Sequence, residues 1–457
     1  MPDELTAFEY DLATLLIGVD SLWGGDALHE SGAHHLLVDT WTSGKEPPAI
    51  YADGFSAHLR EAEGIKPSHE AAGVNDYVQK YHLYDLPHTI KTKTNNFDPD
   101  RRKYLFNLAD SLDIMLKTAV ACVNEKQEPS FEERRRAATR QGAIEIIDTA
   151  ALKESLRDAL SRVGYEVSPS RNLRETLIAY DEEKRLPPEQ ITELVPQITA
   201  QLLQLTQERI FPQLNDTELT YWKRLSDVPF DGHEFKTIAG QLFTGSSIYR
   251  GGEADGRPRL QGLFEYNTDH TLTMTNLHHL CSHEIMPGHY LNSAVMDLLW
   301  RSGHLGFEAT TAQMCSPSAI FQEGWAQVTY ELLYGSREQA IQELGADLRV
   351  FFAFEDLQDI GKNNVGILHL RDKCSVSEVK QYVADQCVQP DPIVKKLSGA
   401  WAHHLIVAPM YGPAYHLGKT IIQQAIKVAG REKVARVGLH VEGLVDIETF
   451  KTKVYRG

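Results

Sequence analysis

Two histidines six residues apart, His283 and His289, have Pro287-Gly288 between them in the stretch Cys281-Ser-His-Glu-Ile-Met-Pro-Gly-His-Tyr290. On an unbroken α-helix six residues turn about 600° and rise ~9 Å, so the two imidazoles would face different ways. Proline removes a helical hydrogen bond, and glycine reaches backbone angles closed to other residues. The stretch therefore predicts a helix that stops and restarts, with the break returning His289 to the side of His283. His279 and His283 form a competing pair, since residues four apart share a helix face without distortion. His278 and His279 otherwise read as helix-surface residues.

The neighbouring residues add chemistry to this geometry. Glu284 adjoins the first histidine, and Glu323 follows in the helix-like segment Phe321-Gln-Glu-Gly-Trp-Ala-Gln327. Zinc in hydrolases favours three N/O protein ligands, a position left for water, and a separate base. The expected roles are metal ligation by His283, His289 and Glu323, with one zinc ion as cofactor, and general-base work by Glu284. A zinc-dependent peptidase follows. The same parts would also serve a metal-dependent amidohydrolase on a non-peptide metabolite. A catalytically inactive helical binding protein with a remnant peptidase site is the third reading.

Most of the chain reads as helix. In 103–123, Leu105, Leu108, Leu112, Met115 and Ala119 recur at three- and four-residue steps. Residues 131–163, with Ile144, Ile147, Leu152, Leu156 and Leu160, suggest a long helix or a helical pair. Their run Glu132-Glu-Arg-Arg-Arg136 reads as a solvated face. Pro187-Pro188 opens another helix, in which Pro196 predicts a kink or break. The composition changes near Asp231, and Leu260–Tyr266 alternates as a strand does, ending at Asn267. Such a strand would either add a peptide substrate to its edge or simply cover the core. Helical patterns resume at 289–301, 317–335, 337–361, 376–387, 391–405 and 413–430. The expected fold is mainly α, with two helical lobes around a cleft and a small β element before the metal-binding helix. The lobes would be 1–235 and 236–457, or one continuous domain.

Charge and apolar runs narrow the function further. A net charge of −17 disfavours nucleic acid as a partner. No run approaches the ~18 apolar residues of a membrane span. The start of the chain is acidic, and Ala13–Val19 is too short for a signal peptide core, so a cytoplasmic location is expected. Five scattered cysteines fit free thiols, with Cys281 a buried core residue. The oligomeric state stays open.

Four stretches together resemble a known family. They are Gly262-Leu-Phe-Glu-Tyr-Asn-Thr268, His283-Glu-x-x-Pro-Gly-His289, Glu323-Gly-Trp-Ala326, and Pro409-x5-Tyr415-x2-Gly418. Their order is similar to that in the bacterial domain-of-unknown-function 885 proteins, which typically carry His-Glu-x-x-Pro-Gly-His-His, Glu-Gly-Trp-Ala and Pro-Gly-Gln-x-x-x-Tyr-x-x-Gly. The chain departs at Tyr290, where the family has the second His of a doublet, and at Pro409-Met-Tyr411. The resemblance implies a helical, gluzincin-like zinc peptidase related to the thermostable-carboxypeptidase and oligopeptidase group and acting on short peptides. It implies Tyr415 as a catalytic donor to the oxyanion. His369, in Val365-Gly-Ile-Leu-His-Leu370, is a second catalytic candidate by the same likeness. A carboxypeptidase would also need a cation for the substrate carboxylate. Arg250, Arg257, Arg259 and Arg371 lie near the motifs, and nothing chooses among them. His403, His404 and His416 read as structural.

Overall fold

A computed structural model describes residues 4–24, 37–55, 69–142, 145–167, 172–241 and 243–456. It is mainly helical, with 62% helix against 8% strand, as the periodicity predicts. The Pro99–Val123 helix covers the first apolar stripe, and the Asp98 side chain caps it by accepting the N–H groups of Asp100 and Arg101. The 131–163 region is a helical pair, Phe131–Thr139 and Ala150–Arg162. Ile144 lies outside the described residues.

Two local expectations fail for tertiary reasons. The Glu/Arg run is not a solvated face, because Arg134 and Arg135 are buried. The short helix that carries them is packed against the Pro99–Val123 helix and the Val407–Tyr411 turn. Burial pulls the Arg135 guanidinium down to about 10. The Pro188–Arg209 helix runs through Pro196 without a break. Its stripe of Ile191, Val195, Ile198 and Leu202 is buried. Each such side chain contributes about 1.5–3 kcal/mol on burial, which together outweighs the ~3 kcal/mol cost of an interior proline.

The strands form two small sheets. β1 (Val38–Trp41) pairs antiparallel with β5 (Thr311–Gln313). In the second sheet, β4 (Arg257–Asn267) lies between a parallel β2 (His233–Ile238) and an antiparallel β3 (Gly245–Ala254). β4 contains the alternating segment and ends at Asn267, where the sequence places its end. Gly262 in β4 receives the Tyr290 ring, which a Cβ would meet at 2.6 Å. The Tyr290 hydroxyl donates to the Leu260 carbonyl.

One hydrophobic core runs from Leu12 to Val454, and residues on both sides of 235 share it. Smaller clusters flank the Asp347–Gly366 helix, one around Leu156, Leu177 and Leu357 and one around Val365, Val379 and Leu397. Among the described residues no helix is long and apolar enough to cross a membrane. The five cysteines are free thiols, and burial pushes the Cys281 thiol up to about 12.

Candidate metal centre

The Met274–Glu284 helix ends one residue past His283, and the His289–Arg301 helix starts at the second histidine. A Cβ at Gly288 would overlap the His283 carbonyl oxygen, so this turn requires glycine. Trp325 clamps the turn: its indole N–H donates to the Pro287 carbonyl at 2.8 Å. Trp325 stands two residues beyond Glu323 on the Pro317–Gln327 helix. One contact thus fixes both the turn and the helix that carries the carboxylate. The His283 and His289 rings end with centroids 4.8 Å apart.

Glu323 bridges the two imidazoles. Its Oε2 is 3.5 Å from His283 Nε2, and its Oε1 is 3.5 Å from His289 Nε2. Ligands held about 2.0–2.1 Å from a tetrahedral centre lie about 3.4 Å apart, so these separations fit a shared ion. Among the described residues this is the group of His, Cys, Asp and Glu side chains that could hold a metal, with ligand atoms within 4.8 Å of one another. Glu323 Oε2 is buried without a hydrogen-bond partner. An unpaired buried carboxylate oxygen is costly, and a cation would satisfy it. Burial alone would raise the Glu323 carboxyl, but the His289 and His283 imidazoles outweigh burial and hold it well below the usual carboxylate range. The donor set therefore suits a divalent ion.

Two tyrosines back the carboxylate. Tyr411 Oη donates to Glu323 Oε1 at 2.6 Å, and Tyr415 Oη lies 3.3 Å from Tyr411 Oη. Both sit in π-helical turns, Val407–Tyr411 and Ala414–Gly418, a geometry common at functional sites. Cβ atoms at Gly324 or Gly418 would overlap backbone of the opposite segment, so the two run backbone to backbone. That contact explains why glycine follows Glu323 and why Gly418 follows Tyr415 by three. Burial lifts both phenols well above their ordinary range, and the Glu323 charge adds to it. They stay protonated and act as donors. Because the Tyr411 proton is committed to Glu323, Tyr415 donates to Tyr411 across a long, weak contact. A better acceptor nearby would win that proton.

Glu284 faces a cavity of about 1320 Å³, which His283, His289, Glu323 and Tyr415 also line. Glu284 makes no hydrogen bond or ion pair among the described residues. The edge strand β3 borders the same cavity over Gly245–Tyr249.

Several candidates fall elsewhere. His279 is buried and paired to Glu355 at 2.6 Å, so it does not join His283 as a ligand pair. His278 binds the Tyr330 hydroxyl at 2.9 Å. Neither is a surface residue, because Tyr330 and the Asp347–Gly366 helix cover that face. His369 packs against His403 with ring centroids 3.9 Å apart, bonds the Cys374 carbonyl at 2.9 Å, and does not line the cavity. Its expected donor role is withdrawn. None of the four arginines lines the cavity either, whereas Lys362 and Lys396 do. Tyr411 was missed; its place four residues before Tyr415 was the one signal that could have found it. The two lysines carry no local signal.

Comparison with protein-family models and with curated proteins found no match. The resemblance to the domain-of-unknown-function 885 family is therefore not upheld. The four stretches that carried it answer local needs, a turn at Gly288 and a close approach at Gly324, and are too short to define a family. Two solved structures are similar in fold. One is the "putative lipoprotein" of Colwellia psychrerythraea, with a TM-score of 0.50 and 14% identity, covering 84% of this chain and 70% of that one. The other has the same description and unknown function, from Shewanella oneidensis, with a TM-score of 0.48 and 12% identity over 84% and 73%. At this identity the Colwellia likeness speaks to the fold alone.

Proposed function

We propose that the chain is a zinc-dependent peptidase acting on short peptides. The observation that carries this reading is the convergence of His283, His289 and Glu323 beside the unpaired carboxylate of Glu284. Those three residues would hold the ion, which when bound makes water a nucleophile near neutral pH and polarises the carbonyl under attack. Glu284 takes a proton from the attacking water and passes it to the departing amine nitrogen. The Tyr415 hydroxyl turns from Tyr411 to the carbonyl oxygen as negative charge develops there. β3 offers backbone N–H and C=O groups along its edge to an extended substrate. A gluzincin-like helical framework around the cavity suits substrates of limited length. The free thiols support a reducing compartment such as the cytoplasm.

Digestion of a mixed peptide library by zinc-loaded protein, read by mass spectrometry, tests the reading. Cleavage of short peptides that stops on chelation is expected. A zinc-loaded protein that leaves every peptide intact would refute it. Tyr415→Phe should lower kcat about 10²- to 10³-fold, the usual loss for one oxyanion donor, with little change in KM. A change confined to KM would remove that role.

A further inference from the structure

Charge balance inside the cavity points beyond this reading. Buried Lys362 and Lys419 and half-buried Arg337 form a network with Asp359, Asp356 and Glu331. Glu355 is matched by His279, Lys236 by Glu265, and Asp391 by Arg174. Glu284 and Glu323 together would balance a divalent ion. Of the three lysines that line the cavity, Lys396 alone makes no ion pair among the described residues; the acids Asp181 and Asp269 on the same lining make none either.

Its surroundings are those of a binding site. Lys396 Nζ lies 5.6 Å from the Trp401 ring, and Lys362 Nζ lies 6.0 Å from the same ring. Lys362 Nζ also sits 3.3 Å from the centre of the Tyr415 ring, which runs parallel to the His283 ring at 6.4 Å. Both ammonium groups thus approach one indole; Lys362 lies a single aromatic ring from the candidate ligand His283, and Lys396 lies beyond Trp401, whose ring is 5.9 Å from that of Tyr415. Burial pulls the Lys396 amine down to about 8, with Lys362 adding to the effect and Glu284 and Glu323 opposing it. A carboxylate bound beside it would hold it protonated.

We propose that Lys396 binds the free terminal carboxylate of a short peptide, so that the site removes residues from the carboxyl end. This rests on the peptidase reading above. The charges of Glu284 and Glu323 reach Lys396, and one residue spans about 3.5 Å of extended chain, so such an anchor suits a short leaving group. Trp401 would pack against the side chain of that leaving group.

Two measurements test the anchor separately from the peptidase reading. The first compares hydrolysis of N-acetyl-phenylalanyl-leucine and its C-terminal amide by zinc-loaded protein. The free acid should show a KM at least about 10-fold lower, and Lys396→Met should abolish the difference. The second is calorimetric binding of 3-phenylpropionate, against 3-phenylpropanol as the uncharged control. Lys396→Met should weaken binding of the acid about 10- to 100-fold, and Lys396→Arg should largely keep it. Equal cleavage of acid and amide, or 3-phenylpropionate binding indifferent to Lys396→Met, overturns the anchor and leaves the peptidase reading intact. Absence of hydrolysis with zinc bound refutes the peptidase reading, and the calorimetry still decides the anchor.

Discussion

Glu284→Gln is expected to lower peptide turnover by roughly 10²- to 10⁴-fold while the protein keeps its zinc. Glu284 ends the helix that carries His283, and it faces the cavity without a partner. Glutamine keeps the shape of the side chain but accepts no proton at neutral pH. The three ligands are untouched, so metal content should match the parent protein. Turnover assays beside elemental analysis separate the two effects. Unchanged turnover would remove Glu284 as the base, and lost zinc would make it a ligand.

The second large effect is expected from Gly288→Ala. A Cβ there overlaps the carbonyl of His283 and approaches that of Ser282, both backbone groups that no rotamer change can move. The turn must open, and His289 must shift relative to His283. Overpacking of this kind costs about 1–3 kcal/mol of stability. Zinc affinity should fall at least 100-fold, since loss of even an outer partner of a ligand commonly costs ~10- to 100-fold. Gly142→Ala is the control, because a Cβ there meets nothing among the described residues, and its effect should stay within about 0.5 kcal/mol. Urea unfolding gives the stability term, and zinc titration against a chelator gives the affinity. Retained affinity in Gly288→Ala would show that the turn does not position the ligands.

Much of this site was legible because its parts are local. Pro287-Gly288 signals a helix break, and the break falls between the two histidines. The strand at Leu260–Tyr266 and the helix at His289–Arg301 follow from patterning alone. Pro196 and the Glu132–Arg136 run misled because tertiary packing overrode a local rule. Burial of one apolar stripe carried a helix through proline, and close packing on two sides buried Arg134 and Arg135. His369 misled because a motif likeness stood in for geometry. Tyr411, Lys362 and Lys396 escaped because their roles depend on segments far apart in sequence. Tyr411 meets Glu323 across 88 residues, and nothing near Lys396 announces a cavity.

In the proposed site, the interrupted helix and a glutamate from another helix meet at a single cation. Zinc stoichiometry of the purified chain after metal exchange, compared with His283→Ala, His289→Ala and Glu323→Ala, tests it most directly. The account predicts one tightly held ion per parent chain and its loss in each of the three variants. A parent chain that holds no zinc, or variants that keep it, would contradict the claim.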